Sequence, residues 1–199
     1  MRAIPYSGPC LLFEPRPDEV RALRRVFLQS AHIEAVALSD EAGTAELRIP
    51  RGGGPRSTIA PSNELEYTQD VEVIRVPTRR LDDYAEHRFG FVKIDVEGHE
   101  EAVLRGGSLV LERDRPALLI EIENRHNPGA LERIAKMLAA WEYSGWFLHQ
   151  ARLQRLAEFS AAALQSPANI AGGKKLGTYI NNFLFVQPRQ LSSLTRWRG

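Results

Sequence analysis

The apolar residues of this chain fall into short runs that alternate with amphipathic stretches. The runs with the length and composition of β-strands are bounded by turn-forming residues; they cover residues 9–15, 32–40, 43–50, 71–76, 91–98, 115–124, 143–150 and 179–188. Apolar residues spaced three to four positions apart predict helices after Pro17 and over residues 129–142. Strands that alternate with helices predict an α/β fold, with an open, mostly parallel sheet and helices on both faces.

Three further segments are weaker predictions. A short helix is expected near Leu81, and a longer helix is expected to begin at His99 and to break at Gly106 and Gly107. Residues 151–165 are amphipathic. The glycine run at residues 52–54 has Pro55 and a polar stretch after it, where a phosphate-binding loop would open a helix. We therefore interpret it as a flexible hairpin loop or an active-site flap.

Size and composition indicate one globular domain over residues 1–199. There are 26 Lys and Arg residues against 25 Asp and Glu residues, and the net charge of +1 gives no strong field toward nucleic acid or anionic lipid. No apolar run reaches the roughly 18 residues of a membrane-spanning helix, and the first residues lack the apolar core of a secretory signal. Cys10 is the single cysteine, which excludes a disulfide framework. A cytoplasmic protein is the default expectation.

Carboxylates lie at the ends of several predicted strands, namely Glu14, then Asp95 with Glu97, then Glu121 with Glu123. In open α/β sheets, ligands bind in the crevice at the carboxyl ends of the strands. Strand side chains alternate with a period of two, so Lys93, Asp95 and Glu97 are expected to share a face. Buried charges are costly without partners, so we interpret this set as lining a functional cleft.

The ends of two predicted strands suggest an adenosine-containing cofactor. Glu14 ends a strand just before a helix that starts with proline, where a carboxylate commonly accepts hydrogen bonds from the two ribose hydroxyls. Ser39 and Asp40 end the next strand, where their side chains can accept a hydrogen bond from the amino group of adenine.

The chain resembles a known family. The segments "LLFEP", "AVALSDEAGTAELRIP", "RRLDDY", "FVKIDVEGHEEAVLRGG", "PALLIEIE" and "NNFLFVQP" are similar, in order and spacing, to the FkbM-type methyltransferases. The similarity runs from about residue 10 to about residue 188, and the segment that contains "VKIDVEGHE" is the most specific. The resemblance implies a Rossmann-like class I methyltransferase fold that uses S-adenosylmethionine. It also implies O-methylation of a hydroxyl on a sugar, polyketide or similar small metabolite.

The resemblance assigns roles on the cofactor side. It implies that Glu14 holds the ribose, that Ser39 and Asp40 lie near adenine, and that Asp95 stands beside the reacting sulfonium. A sulfonium is already a good electrophile, so positioning carries much of the rate.

On the acceptor side, the resemblance implies that Glu97, Glu121 and His99 line the pocket. His99 is a candidate for the group that takes the acceptor's proton, and His126 is a second candidate. A plain surface histidine is the alternative for each. No metal ligand set is predicted, and the partner is expected to be a small-molecule acceptor, with the oligomeric state left open.

The chain departs from the family at its start. The family begins with a strand and a turn of the form D-x-G-A-x-x-G, and nothing of this kind precedes "LLFEP". We therefore expect a sheet that lacks the family's first strand, and weak or absent binding of S-adenosylmethionine. Either the start of the reading frame is placed too late, or the chain is a remnant.

Two other functions are open at this point. A non-catalytic remnant would keep the acidic crevice and act as a binding module. A metal-dependent hydrolase would use Asp95, Glu97, Glu121 and the histidines, since hard cations bind such oxygens. Acceptor specificity is expected to lie in residues 51–66 and 166–177.

Overall fold

The structure is a computed structural model that describes residues 8–51, 57–61, 63, 70–171, 174–175 and 177–194. The glycine run at residues 52–54 and parts of the two predicted specificity loops lie outside the described residues. The strands are β1 (Leu11–Phe13), β2 (His32–Glu34), β3 (Ala37–Leu38), β4 (Gly43–Pro50), β5 (Val71–Arg79), β6 (Phe91–Ile94), β7 (Ala117–Glu121), β8 (Ser144–His149), β9 (Arg152–Arg155), β10 (Ile170–Ala171), β11 (Lys174–Lys175) and β12 (Asn182–Val186). The helices are α1 (Pro17–Phe27), α2 (Glu100–Gly106), α3 (Ser108–Asp114), α4 (Ala130–Ala139), α5 (Ala161–Leu164) and α6 (Pro188–Leu194).

The strands form separate sheets with mixed directions. The largest sheet has the order β6-β7-β12-β8-β9, and only its β6–β7 pair is parallel. A second sheet has the order β3-β5-β4, with β3–β5 parallel and β4–β5 antiparallel. Strands β1 and β2 form a parallel pair of their own, and β10 and β11 an antiparallel one. The predicted α/β class is confirmed, but the prediction of a mostly parallel sheet is wrong.

Two features account for the antiparallel pairs of the five-stranded sheet. Strand β12 returns from the far end of the chain and inserts between β7 and β8, antiparallel to both. A tight hairpin then joins β8 to β9 through Gln150 and Ala151, both of which have positive φ (49° and 59°). A two-residue hairpin turn of this kind is usually marked by glycine or asparagine, and neither is present here. The amphipathic segment 151–165 thus contains β9, a 3₁₀ turn at Leu156–Glu158 and the short helix α5.

Other predicted elements agree with the structure to within a few residues. Pro17 opens α1 with Asp18 and Glu19 in the first turn, as expected for a helix start. The predicted strand at 32–40 is divided into β2 and β3. A 3₁₀ turn at Leu81–Tyr84 replaces the short helix expected near Leu81.

The main core lies around the five-stranded sheet. Alternate residues of β7 (Leu118 and Ile120) and of β12 (Phe183 and Phe185) are fully buried. Helix α4 covers the sheet with Leu131, Ile134 and Leu138, which recur at helical spacing. Phe159 packs edge-to-face on Phe147 and Phe183, at centroid distances of 5.2 Å and 4.9 Å.

The break between α2 and α3 brings α2 against the end of β3. A Cβ at Gly106 would overlap the carbonyl group of Ser39, lying 2.9 Å from its carbon, and a Cβ at Gly107 would lie 2.9 Å from Leu81. Gly106 is therefore needed for the approach of α2 to β3, and Gly107 for close packing against Leu81. No helix within the described ranges is long and apolar enough to cross a membrane. Among the described strands, β1 pairs only with β2 and β6 only with β7, so no strand joins their two sheets.

Candidate functional site

The turn that follows β6 organises the acidic residues of the strand end. The strand itself ends at Ile94, and Glu97 and Gly98 both have positive φ, at 51° and 99°. The left-handed backbone interrupts the alternation that predicted one face for Lys93, Asp95 and Glu97. Only the first two of these remain in contact with each other.

The first group is a lysine cluster of Lys93, Asp95 and Glu121. The Lys93 ammonium lies 3.2 Å from the Asp95 carboxylate and 3.7 Å from that of Glu121. Asn181 and Asn182 also donate to Glu121, at 2.6 Å and 3.3 Å. Burial, and the nearby charge of Asp95, raise the pKa of Glu121 above its ordinary range. The parallel pairing of β6 with β7 thus brings two of the predicted strand ends together.

The second group is a histidine cluster of Glu97, Glu123 and His126. His126 Nδ1 lies 3.0 Å from a carboxylate oxygen of Glu97, and its Nε2 lies 4.0 Å from one of Glu123. His126 is buried, so the surface-histidine alternative does not describe it.

Glu123 is the most heavily bonded carboxylate of the site. It accepts hydrogen bonds from Arg125, from Asn181 at 2.9 Å and from the Tyr179 hydroxyl at 3.1 Å. Burial alone would raise the pKa of Glu123, but the bonds from Arg125 and Asn181 hold it below its ordinary range. Asn181 donates to Glu121 as well, so it links the lysine cluster to the histidine cluster.

The third group is a serine cluster of Ser39, Asp40, His99 and Arg105. Ser39 Oγ donates to Asp40 at 3.1 Å and lies 2.9 Å from His99 Nε2, while Arg105 binds the other Asp40 oxygen at 2.9 Å. Ser39 has one proton and gives it to Asp40, so we assign the hydrogen of the His99–Ser39 bond to Nε2. The contact with Ser39 is made possible by the approach of α2 to β3.

The surroundings of Asp40 and His99 shift the pKa values of both groups. Burial would raise the pKa of Asp40, yet the hydrogen bonds from Arg105 and Ser39 hold it below its ordinary value. Burial lowers the pKa of His99, with Asp40 opposing and Arg105 adding to that effect. Neutral His99 therefore carries its lone pair on Nδ1.

Glu14 follows β1, as the sequence predicts for a strand-end carboxylate. Its Oε1 accepts a hydrogen bond of 2.8 Å from the backbone N–H of Arg16. Burial raises the pKa of Glu14, and the bond from Arg16 partly offsets this. No described hydrogen bond or ion pair joins Glu14 to the three clusters, so its convergence with Asp95 on one hollow stays a prediction.

Comparison with known proteins gives the chain a family. A family model described as the methyltransferase FkbM domain matches residues 5–152, which is well over half of the chain. This chain belongs to the FkbM methyltransferase family. The resemblance noted on the strand-end motifs is thereby confirmed, and the family match runs from before Glu14 to beyond His126. No curated protein matches the chain.

A solved structure supports the FkbM assignment at the level of fold. The crystal structure of methyltransferase FkbM from Methylobacillus flagellatus KT is similar, with a TM-score of 0.53 and 13% sequence identity. The similarity covers 88% of this chain and 36% of that one. The chain thus spans about a third of the length of this relative.

Sequence reasoning did not include Glu100 among the site residues of this FkbM domain. Glu100 is almost fully buried, and one of its oxygens accepts a 2.8 Å hydrogen bond from the N–H of Gly98. Burial raises the pKa of Glu100 to about 7, with the neighbouring Glu97 adding to that effect. Helical spacing places Glu100 on the same face as the buried Val103 and Leu104, a signal that could have identified it.

A covering segment, residues 57–61 and 63, is fastened to the turn of the FkbM domain. Thr58 and Asn63 both donate to the carbonyl oxygen of Glu97, at 2.9 Å and 2.8 Å. Arg48 of β4 in turn donates to the carbonyl oxygens of Ala60 and Asn63. Part of the loop predicted to set acceptor specificity therefore lies directly on the turn. Within the described ranges, no group of three or more His, Cys, Asp or Glu side chains is arranged to hold a metal ion.

Proposed function

We propose that this chain is an S-adenosylmethionine-dependent O-methyltransferase domain that acts on a hydroxyl group of a sugar or another small metabolite. The observation that carries the proposal is the FkbM family match, whose span contains Glu14, the turn after β6 and His126. A net charge of +1 favours a small-molecule acceptor over nucleic acid as the partner. No described feature favours a binding module or a hydrolase over methyl transfer.

On the donor side, Glu14 fits the role of a ribose-binding carboxylate. It is half-buried, and Arg16 engages its Oε1, so Oε2 remains to accept from a ligand. Burial raises the pKa of Glu14, and two ribose hydroxyls would add hydrogen-bond donors that stabilise its ionised form. Ser39 and Asp40 are assigned to the adenine side, where Arg105 keeps Asp40 ionised and able to accept from an amino group.

When bound, the donor supplies a methyl group on a cationic sulfonium: a new O–C bond forms to the acceptor, the C–S bond breaks with its electron pair left on sulfur, and the hydroxyl releases a proton. Asp95, which is half exposed, is assigned to the edge beside that positive charge. Lys93 partly neutralises the charge of Asp95. This limits the stabilisation of the sulfonium ground state, which in excess would slow methyl transfer.

On the acceptor side, Glu97, Glu121 and His126 are assigned to the pocket. Carboxylates accept hydrogen bonds from hydroxyl groups, and Asn181 and Asn182 orient Glu121. His99 remains a candidate proton acceptor only through Nδ1, because its Nε2 is bonded to Ser39.

Calorimetric titration with S-adenosylmethionine and S-adenosylhomocysteine tests the donor site. We expect Glu14→Gln to weaken binding about ten- to a hundredfold, since a hydrogen bond to a charged group contributes about 1.5–3 kcal/mol. Glu19→Gln is the matched control, because Glu19 is a half-exposed acid on the following helix and its replacement should leave the affinity unchanged.

Methyl transfer is tested separately, by release of S-adenosylhomocysteine in the presence of free monosaccharides and alkyl glycosides. We expect turnover with at least one hydroxyl acceptor. Donor binding without any transfer would instead support the binding-module interpretation. Weak heats of binding would agree with both the expectation from the sequence and the proposed function, whereas no heat of binding for either adenosyl ligand would support the remnant interpretation and contradict the proposed function.

A further inference from the structure

The histidine cluster differs from the other acidic groups because its members differ sharply in access to solvent. The Glu97 side chain is 17% exposed, whereas the side chains of Glu123 and His126 are 8% and 7% exposed. Glu100, which also lies near Glu97 and His126, is 2% exposed. Of these four groups, Glu97 is the one most accessible to an acceptor, and the others are more deeply buried.

Both ring nitrogens of His126 face carboxylates, Nδ1 that of Glu97 and Nε2 that of Glu123. Glu123 is ionised, because Arg125, Asn181 and the Tyr179 hydroxyl all donate to it. We assign a hydrogen to Nδ1, which lets His126 donate to the Glu97 carboxylate oxygen that lies 3.0 Å away. This contact orients one Glu97 oxygen toward His126 and leaves the other to face an acceptor.

The backbone of Glu97 is fixed as well. Its carbonyl oxygen accepts from Thr58 and Asn63, and the turn continues through Gly98, which has φ of 99°. A Cβ at Gly98 would lie 3.5 Å from the Cβ atoms of Ala60 and His126, so the turn is packed on both sides. Both ends of the Glu97 residue are thus held in one geometry, as a positioned proton acceptor requires.

We propose that Glu97 is the catalytic base of the reaction, and that His126, anchored by Glu123 and Arg125, is its positioning residue. The inference rests on the proposed function and deepens it. The proton of the acceptor hydroxyl moves to the free carboxylate oxygen of Glu97 as the oxygen forms its bond to the methyl carbon. His126 keeps its Nδ1–H throughout and so holds the carboxylate toward the acceptor.

This assignment takes the proton-accepting role from His99. The two histidines are held by different elements: His99 by the serine cluster at the end of β3, and His126 by the turn after β6. Glu100 complements Glu97 below about pH 7, where this buried carboxyl keeps its proton and adds no second negative charge beside the base.

Nitrogen NMR of the full chain with ¹⁵N-labelled histidine tests the geometry without any substrate. The chain has 5 histidines, and the signal lost in His126→Asn identifies His126. We expect a proton on Nδ1 of His126, and a change in that nitrogen's shift in Glu97→Gln. An unprotonated Nδ1 in the wild-type chain would overturn the proposal.

Kinetics on the hydroxyl acceptor that the monosaccharide and glycoside assay identifies provide the second test. We expect Glu97→Gln to lower kcat by about 10²–10⁴-fold while donor affinity is unchanged. His126→Asn retains an N–H near the position of Nδ1 and should keep most of the rate, whereas His126→Leu should lower kcat by about tenfold or more with a smaller effect on KM. Glu101→Gln is the control, since Glu101 pairs with Arg133 instead.

The outcomes separate this inference from the function on which it rests. A wild-type chain that turns over a hydroxyl acceptor, together with an undiminished Glu97→Gln variant, overturns the inference alone. Equal rates for His126→Asn and His126→Leu overturn the positioning role of His126. A wild-type chain that binds no adenosyl ligand overturns the proposed function.

Discussion

The five-stranded sheet buries a large apolar cluster, whereas the three-stranded sheet β3-β5-β4 buries a small one made of Ala37, Leu47 and Val76 among the described residues. The first region is covered by α4 and by the aromatic contacts of Phe159. The second has polar connections in addition: Arg48 holds the covering segment, and this segment donates to the carbonyl oxygen of Glu97. The turn that carries the candidate base is where the two regions meet.

The difference indicates that the two sheets are stabilised in different ways. Apolar burial is roughly proportional to area and has no preferred direction, so it gives the larger sheet its stability. Hydrogen bonds are directional and contribute less net free energy, so they suit the smaller sheet for fixing a single backbone geometry. We expect changes in the first region to act on the whole fold, and changes in the second to act on the turn.

The same substitution in the two sheets provides the strongest test of this contrast. Leu118→Ala in β7 should cost about 4–5 kcal/mol in the free energy of unfolding, because the Leu118 side chain is fully buried and the cavity would lie between rigid neighbours. Leu47→Ala in β4 should cost about 2–3 kcal/mol, because the smaller sheet can relax around it. Urea unfolding measures both. Equal losses would contradict the contrast.

The substitution Glu100→Gln tests whether the buried carboxyl beside the turn after β6 makes stability depend on pH. The pKa of Glu100 in the folded chain is about 7, above its ordinary value of 4.5, so the folded state binds this proton more tightly than the unfolded state. Its contribution to stability is therefore full below about pH 4.5 and is lost as the pH rises toward 7. Glutamine keeps the acceptor for Gly98 and does not ionise.

We expect Glu100→Gln to be more stable than the wild-type chain by about 3 kcal/mol above pH 7, with little difference at low pH. Urea unfolding at about pH 5 and about pH 8 measures this divergence. A difference between the two chains that stays constant with pH would show that Glu100 is not the buried proton site.

Gly106→Ala examines the contact between α2 and β3. The added Cβ would meet the backbone of Ser39, which cannot swing aside, so we expect a loss of about 1–3 kcal/mol in thermal or urea unfolding. Gly90→Ala is the matched control, because nothing lies within 4 Å of a Cβ at that position. The same loss in both variants would point to a general effect of replacing glycine.

Thr58→Val should have the smallest effect on overall stability. It removes one of the two donors to Glu97 and the acceptor for the N–H of Ala60, at a cost of about 1–2 kcal/mol. We expect faster hydrogen exchange at residues 57–61 and 97–98 and unchanged exchange in β7. Thr44→Val, at an exposed position of β4, is the control. Faster exchange throughout the larger sheet would contradict a local role.

Local patterns predicted much of the fold and failed at identifiable points. Pro17 and the acidic residues after it correctly placed the start of α1, and helical spacing placed α4. The hairpin at Gln150 and Ala151 was missed, because the turn is imposed by the pairing of β8 with β9 and has no turn-forming residue. The direction of β12 could not be predicted either, since it depends on which strands lie beside it.

For the candidate site, the sequence supplied the acids but not their partners. Glu97 and His126 lie far apart along the chain, and their contact depends on the turn after β6 and on the loop after β7. The alternation rule misplaced Glu97, because it ceases to apply where the backbone becomes left-handed. Ser39 and His99 meet only because Gly106 allows α2 to approach β3.

The sequence by itself determined the α/β class, the family and the carboxylates at the strand ends, because these depend on residue type and on short-range periodicity. The tertiary structure decided which acids are paired, which are buried and which side chains contact His99 and His126. Charge and protonation depend on distances of a few ångströms between residues that are remote along the chain, and only the packing of the sheets sets those distances.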